Sequence, residues 1–381
     1  MQPARAHRLR AMVVASLSQV APAEWNRLAG DDPFLRYEFL SALEETRCVG
    51  NGTGWQPQSI LLLENETLVG VMPLYRKTHS FGEYVFDWAW ADAYRHYGLR
   101  YYPKLVSAIP FTPATGSRLL AETGRRRELL LQAALDLAAA EKISSLHILF
   151  PYAGQASELQ TLGFMLRQGL QFHWRNRNYE SFEQFLSQLN HDKRKKIRQE
   201  RRRAKDAGIT FRRLSGRDTK VQDWRFFYRC YCSTYHEHGS VPYLNVEFFE
   251  KLGQTLPDNI LLIVAEKAER PIASALNIYN ERTLWGRYWG ALEHFPALHY
   301  ETCYYQAIEF CIDRKIETFE GGAQGEQKLA RGFLPVKTRS AHWLSDPRFA
   351  AAINRFLKDE ARVVDHHLEE LTRRSPFKRL D

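Results

Sequence analysis

Short apolar runs rich in β-branched residues, separated by polar turn clusters, mark strands, and in this 381-residue chain they follow one order twice. Residues 59–63 and 68–75 flank a polar turn at 64–67 and predict a hairpin. An aromatic stretch and a proline-rich loop follow. Then come a helix at 125–141, a strand at 145–150, Leu162-Gly163-Phe164 and a last strand at 171–174. The second half repeats this with strands at 259–266 and 271–279 around a turn at 267–270, and a further strand at 283–289. A helix at 301–315, a strand at 317–320 and Arg331-Gly332-Phe333 then precede a strand at 338–343. The first copy carries roughly 30 more residues, which the pattern assigns to a surface insertion in its central loop. After Arg5, Arg8 and Arg10 the apolar run is short and broken by serines. It predicts a strand at 9–17, followed by a helix at 22–28, in preference to a signal peptide.

This duplication predicts an α/β protein with a first domain at 1–178, a linking helix at 179–208 and a second domain at 209–381. Hydrophobic residues at 44% and charged residues at 25% exclude disorder as the main state. No run approaches the ~20 apolar residues of a membrane helix. The five cysteines are odd in number and form no Cys-x-x-Cys pair, which argues against structural zinc or a disulfide framework and for reduced thiols in the cytoplasm. His236-x-His238 and His366-His367 would need a third ligand at recognisable spacing, and none follows, so no metal is expected.

Charge changes the picture more. Between Lys193 and Arg213 eleven Lys or Arg stand against two acids, Glu200 and Asp206, so this one segment holds the chain's whole net charge of +9. Phe182, Phe185, Leu186 and Leu189 predict a short amphipathic helix that continues or kinks into a cationic rod at 191–207, ended by Gly208. Ile197 and Ala204 give it a thin apolar seam. A solvated connecting helix would satisfy the pattern. Like charges at helical spacing repel, however, and Lys193, Arg194, Lys196, Arg198, Arg201, Arg202 and Lys205 hold together more easily against phosphate or nucleic acid.

The sharpest candidate chemistry runs from Glu320 to Phe333. It leaves a strand, turns through three glycines and carries Gln324, Gly325, Glu326, Lys328 and Arg331. Glycines let backbone N–H groups approach a phosphate or a developing oxyanion. Lys328 and Arg331 are three apart and can share a face of one turn. His299 and Glu301 precede the second-copy helix, as a base and as a helix-terminus acid. In the first copy, Tyr102, Lys104, Phe111, Thr112, Thr115 and Arg118 lie in a proline-stiffened loop able to grip a phosphate or peptide, or simply to pack. Gly-x-Ser-x-Gly, Walker and dinucleotide fingerprints are absent.

Antiparallel strands followed by a helix crossing to a neighbouring strand resemble the N-acyltransferase (GNAT) fold, here in tandem. The segments Gly82-Glu83-Tyr84-Val85-Phe86-Asp87, Tyr101-Tyr102-Pro103-Lys104-Leu105, Pro110-Phe111-Thr112-Pro113, Leu298-His299-Tyr300-Glu301 and Gly322-Ala323-Gln324-Gly325-Glu326 resemble a bacterial family of N-acyltransferases. That family is labelled peptidoglycan biosynthesis or recognition and is related to the Fem-type aminoacyltransferases. The resemblance covers nearly the whole chain. It implies tandem GNAT-like domains, each a mixed, mostly antiparallel sheet flanked by helices. It also implies transfer of an amino acid from aminoacyl-tRNA to an amine of a peptidoglycan precursor, with Lys328 and Gly332-Phe333 matching the catalytic-region Lys and Gly-Phe. The long coiled-coil arm of some Fem enzymes is missing, and Lys328 stands farther from Phe333 than an adjacent pair.

Three readings follow. The first is an aminoacyl or acyl transferase acting on a peptidoglycan-related amine, with Lys328, Glu320, Glu326, His299 and Glu301 as catalytic candidates. The second keeps the enzyme with an acyl-CoA donor, although the pyrophosphate loop of ordinary acetyltransferases has no glycine here, at 294–302. The third is a non-catalytic protein that binds tRNA or cell-wall fragments. No tightly bound cofactor is expected in any of them.

Overall fold

A computed structural model describes residues 9–322 and 325–378. The chain forms two compact units: one through Gly169 with Thr338–Val364, the other Leu170–Lys337 with the residues from Asp365 on. The expected boundaries at 178 and 208 are therefore corrected. The first boundary falls inside a long strand, the basic helix belongs wholly to the second unit, and the chain returns to the first unit near its end.

The first unit starts with β1 (Leu9–Val14), α1 (Pro22–Ala29) and α2 (Tyr37–Glu45). Strand β2 (Trp55–Pro57) precedes the expected hairpin, β3 (Ser59–Glu64) and β4 (Thr67–Met72). Its two turn residues, Asn65 and Glu66, have φ of 49° and 67°, the signs a type I′ turn requires. The strand expected over 68–75 is two strands, because Pro73 lacks the N–H a ladder needs; beyond it, β5 (Tyr75–Lys77) enters a second sheet. Helix α3 (Trp88–His96), β6 (Lys104–Ser107), β7 (Leu120–Ala121), α4 (Gly124–Ala140), β8 (Ser145–Leu149), α5 (Ala153–Thr161) and β9 (Met165–Arg175) follow. One sheet has the order β1-β3-β4-β7, and the other contains β2-β5-β6-β8. Leu130, Leu131, Ala134 and Ala138 line the buried stripe of α4 and pack among Ile60, Leu62, Met72, Leu105 and Ile148.

The second unit contains α6 (Phe182–Gln188), α7 (His191–Asp206), β10 (Ile209–Ser215), α8 (Val221–Glu237) and α9 (Val246–Thr255). The second hairpin, β11 (Ile260–Lys267) and β12 (Arg270–Tyr279), again turns through two residues of positive φ, Ala268 and Glu269. Strand β13 (Thr283–Ala291) leads to α10 (Leu298–Tyr300), a π-helical turn (Glu301–Tyr305) and α11 (Gln306–Asp313). After β14 (Thr318–Glu320) come a 3-10 turn (Glu326–Arg331), β15 (Leu334–Leu344) and α12 (Pro347–Arg373). The order within this unit is β10-β11-β12-β13-β14-β9, antiparallel except for β13 against β14. Residues 340–344 of β15 pair with β8 in the first unit. Both units are thus mixed α/β, mostly antiparallel and flanked by helices, as the duplicated pattern predicts. No helix among the described residues is long and apolar enough to cross a membrane.

Candidate active site

The parallel contact between β13 and β14 lasts three residue pairs, Thr283↔Thr318, Leu284↔Phe319 and Trp285↔Glu320. Strand β14 stops at Glu320, while β13 runs on to Ala291. Residues 286–291 therefore pair with β12 on one edge and leave the other edge without a strand partner among the described residues. Unpaired backbone groups at a parting of strands suit a ligand with its own donors and acceptors.

In the first unit, β6 and β8 also pair in parallel over three residues, Leu105↔Leu146 to Ser107↔Ile148. There the space beyond is filled. Ala108, Ile109, Phe111, Thr112 and Ala114 are buried, and Arg118 is wholly buried. Its guanidinium is spent on backbone carbonyls, those of Leu149 at 2.8 Å, Ala114 at 2.7 Å and Ser117 at 2.9 Å. Phe111 seats its ring against Gly82, where a Cβ would stand 2.6 Å away. Thr115 is half-buried in the same loop. The loop expected to grip phosphate is thus corrected: Phe111, Thr112 and Arg118 close the gap, because the extra residues of this copy fold inward and satisfy one another.

Around the open gap of the second unit, Gly322 takes φ of 83°, and its carbonyl accepts a hydrogen bond from Lys328 Nζ at 3.2 Å. Lys328 is buried, and burial lowers its pKa to about 8, with the Cys303 thiol acting the other way. In a 3-10 turn residues i and i+3 eclipse, so Lys328 and Arg331 share a face, as their spacing predicts. Arg331 stacks over the Tyr300 ring at 3.4 Å. His299 packs against Trp289 and Tyr304, with ring centroids at 4.9 and 5.3 Å. Burial, then the charges of Lys328 and Arg331, push its pKa down to about 4, so the imidazole is neutral at pH 7. The π turn carries Cys303 and Tyr304 here; such turns often mark functional sites and escape sequence reading because nothing in the composition announces them. Gly332, at φ of 88°, returns the chain towards Phe333; a Cβ there would meet Phe185 at 2.7 Å.

The expected carboxylates separate. Glu320 ends β14 where the strands part, 4.0 Å from His173 Nε2. Glu301 is buried but faces α7, paired with Arg201 at 3.1 Å and accepting from Gln306 at 2.8 Å. Glu326 is on the outside, paired with Arg374 at 3.0 Å and near His367. Glu301 and Glu326 are therefore corrected as catalytic candidates, since each is held away from Lys328 by its own cation. Gln324 lies outside the described residues; Gly325, at φ of 101°, starts the 3-10 turn.

Helix α7 begins at Asn190, whose side chain accepts from the Lys193 amide at 3.1 Å, and ends at Gly208 with φ of 70°. Ile197, Glu200 and Ala204 are its buried side. Arg201 is drawn inward by Glu301 and Glu309, and Arg198 pairs with Glu183. Arg212 and Arg213 also pair with acids of this unit. Lys195, Lys196, Arg202, Arg203 and Lys205 are exposed, and Lys193 and Arg194 half-buried; no ion pair holds any of these seven among the described residues. Arg201 is thereby corrected out of the outward set, while Lys195 and Arg203 join it.

The first unit contains a buried polar cluster that sequence reading missed. Lys104, expected to bind substrate, is fully buried and donates to Ser80 and Glu83 at 2.8 Å and to Asp87. Lys77 lies near Glu83 and over the Trp55 ring. Tyr101 donates to Asp87 at 2.5 Å, and the Tyr102 hydroxyl meets Ser80 at 2.8 Å. Burial opposes the charges on Lys104 and Asp87, but each restores the other's, so Lys104 ends above the ordinary lysine value and Asp87 below the ordinary carboxylate value. His147 and His342 meet Nδ1 to Nδ1 at 2.7 Å. One must donate there. The outer nitrogens are also engaged, His147 Nε2 with the Ser145 hydroxyl at 2.8 Å and His342 Nε2 with the Ser340 hydroxyl at 2.8 Å, so one ring carries its hydrogen on Nδ1 and the other on Nε2. Both are neutral, held well below the usual histidine pKa chiefly by burial.

An unfolded chain would protonate these histidines near pH 6.5 while the native state does not, so their neutral burial costs stability progressively as pH falls below that value. The stability lead of the wild type over His342→Gln should therefore shrink by about 1.4 kcal/mol per pH unit below about 6.5. Urea unfolding between pH 7 and 5 measures it; a constant lead would mean that His342 titrates normally in the fold.

His236 lies in the last turn of α8 and His238 caps it. Among the described residues no three His, Cys, Asp or Glu side chains converge as metal ligands.

Solved structures share this architecture. FemX aligns over 91% of this chain and 100% of its own, at TM-score 0.57 and 12% identity. The C-terminal domain of a protein described as a lysylphosphatidylglycerol synthetase, from Agrobacterium fabrum, aligns over 88% of this chain and 95% of its own, at TM-score 0.55 and 8% identity. A tandem GNAT protein from the clavulanic acid biosynthesis pathway aligns over 89% and 99%, at TM-score 0.48 and 10% identity. The fold is shared with FemX and with that C-terminal domain. The chain belongs to the FemAB-like family, described as peptidoglycan biosynthesis/recognition, whose profile matches residues 16–379. No curated protein matches the sequence.

Proposed function

We propose that this protein is an N-acyltransferase that moves an aminoacyl or acyl group to an amine of a peptidoglycan-related acceptor, with its reaction site at the parting of β13 and β14. The observation that carries the reading is a buried lysine beside an open strand edge in a chain of the FemAB-like family. The acceptor amine must be neutral to attack. Of the three carboxylates considered, Glu320 stands at the gap and is the candidate to take its proton. The new C–N bond forms at the acyl carbon, the donor C–O or C–S bond breaks, and the leaving group takes a proton. The oxyanion between these events needs a cation or N–H groups, which Lys328 and the neighbouring amides supply. His299, with a pKa of about 4, is too weak a base for the role expected of it. No cofactor is invoked, because the donor brings the acyl group. A tRNA-borne donor and a nucleotide-linked precursor both place the reaction in the cytoplasm.

The test is incubation of the full chain with charged tRNA and a nucleotide-linked muropeptide, read by mass spectrometry. An aminoacyl mass gain on an acceptor amine is expected; no gain with any aminoacyl or acyl donor overturns the reading. Between β13 and α10 the segment 292–297 holds no glycine, and Ala297 takes φ of 67°. Without a run of closely approaching amides to cradle a pyrophosphate, coenzyme A is expected to bind no tighter than roughly millimolar. Calorimetry showing micromolar affinity for acetyl-CoA would shift the donor to an acyl-CoA.

A further inference from the structure

Helix α7 turns one acid inward. Glu200 is 6% exposed, and its two oxygens are both used, one by Arg331 Nη2 at 2.6 Å and the other by the Tyr305 hydroxyl. Arg331 is 2% exposed. Its Nη1 donates to the Gln327 carbonyl at 2.6 Å, and its plane lies on Tyr300. These contacts fix the guanidinium in position and plane, yet Nε, also buried, has no acceptor among the described residues. A buried N–H without an acceptor costs about 1–3 kcal/mol, which a ligand oxygen would remove. Lys328 stands on the same face of the turn.

We propose that Glu200 is a positioning residue for this site, acting through Arg331 on the turn that carries Lys328 and leaving Arg331 Nε–H for a ligand oxygen. The inference rests on the acyl-transfer reading. It gives the basic helix a second role: its outer face is cationic, and its inner face sets the geometry and the charge of the reactive turn. With Glu200 present, Arg331 is neutralised. Without it, an uncompensated guanidinium stands on the same face as Lys328, whose titratable neighbours include Cys303 on the π turn, His299 on α10 and His173 on β9, with Glu320 at the end of β14 beside His173. The Lys328 ammonium then loses its proton more easily.

The experiment uses the full chain with Glu200→Gln, Arg331→Gln and the double variant, each checked for folding by circular dichroism. Glu200→Gln should lower kcat roughly 10-fold or more with KM held within about threefold. The double variant should be no slower than Arg331→Gln alone, because the two residues act as one unit. The Lys328 Nζ resonance, assigned by its loss in Lys328→Arg, should titrate roughly one pH unit lower in Glu200→Gln. Additive losses of activity, or an unchanged kcat, overturn the proposal. So does an unchanged Lys328 midpoint, and that readout needs no turnover, so it decides the question even if acyl transfer is never observed. If Glu200→Gln does not fold, Glu200→Asp keeps the charge and should hold the Lys328 midpoint while kcat falls; a wild-type kcat there overturns the proposal.

Discussion

Lys328→Ala should lower acyl transfer by roughly 10²-fold or more while the protein stays folded, which is the usual loss when one donor to a developing oxyanion is removed. The side chain is buried and donates to the Gly322 carbonyl, so truncation removes a cation from a site with little water to replace it. The pH profile sharpens the test. Burial lowers the ammonium to about pH 8, against about 10.4 for a free lysine. If the charged form supports the oxyanion, kcat/KM should fall as pH rises through about 8, and Lys328→Arg should carry activity to higher pH. A rate that rises through the same pH would make Lys328 a base instead. Stability runs the other way: the unfolded chain keeps its proton to higher pH than the native one, so this lysine costs stability at neutral pH and the cost fades as pH rises from about 8 towards 10.4. Unchanged activity in a well-folded Lys328→Ala protein would return the residue to a packing role.

The second large effect lies on α7. Lys195, Lys196, Arg202 and Arg203 are exposed and, by helical periodicity, share one face turned away from Ile197 and Ala204. If this face contacts RNA phosphates, affinity for tRNA should fall by roughly 10³-fold or more between about 50 and 200 mM salt, as six or so neutralised phosphates release their counterions. Replacing those four residues with Gln should flatten the log–log slope by about three to four, since each lost contact removes about 0.9. Gln is nearly as good a helix former as Lys or Arg, so circular dichroism should be unchanged. Wild-type protein that does not bind tRNA at 50 mM salt would remove the nucleic-acid reading. A variant with the wild-type slope would show that RNA uses another surface. Arg201 belongs in neither set, because Glu301 and Glu309 already hold it.

Much of this molecule is legible in the order of its residues. Both hairpins, the helix-to-strand crossovers at 125–150 and 301–320, the stop at Gly208 and the Ile197–Ala204 seam are local, because period and turn chemistry act over a few neighbours. Helices such as α5, α8, α9 and α12 are not read from the pattern. The concentration of charge near α7 is equally plain from a count. Tertiary structure decided the rest, since it depends on partners far apart in the chain. The strands on either side of Pro73 enter two different sheets. The loop with Phe111 and Arg118 reads as a phosphate grip until burial shows it filling a gap. Lys104 looks available until Glu83, Asp87 and Ser80 surround it, and His147 and His342 meet although 195 positions separate them. Glu200 reads as one acid among many cations, and only folding brings it to Arg331, 131 residues on. Sequence patterns report which residues can be charged or apolar; which charge meets which is settled by burial, where an unpaired ion costs several kcal/mol.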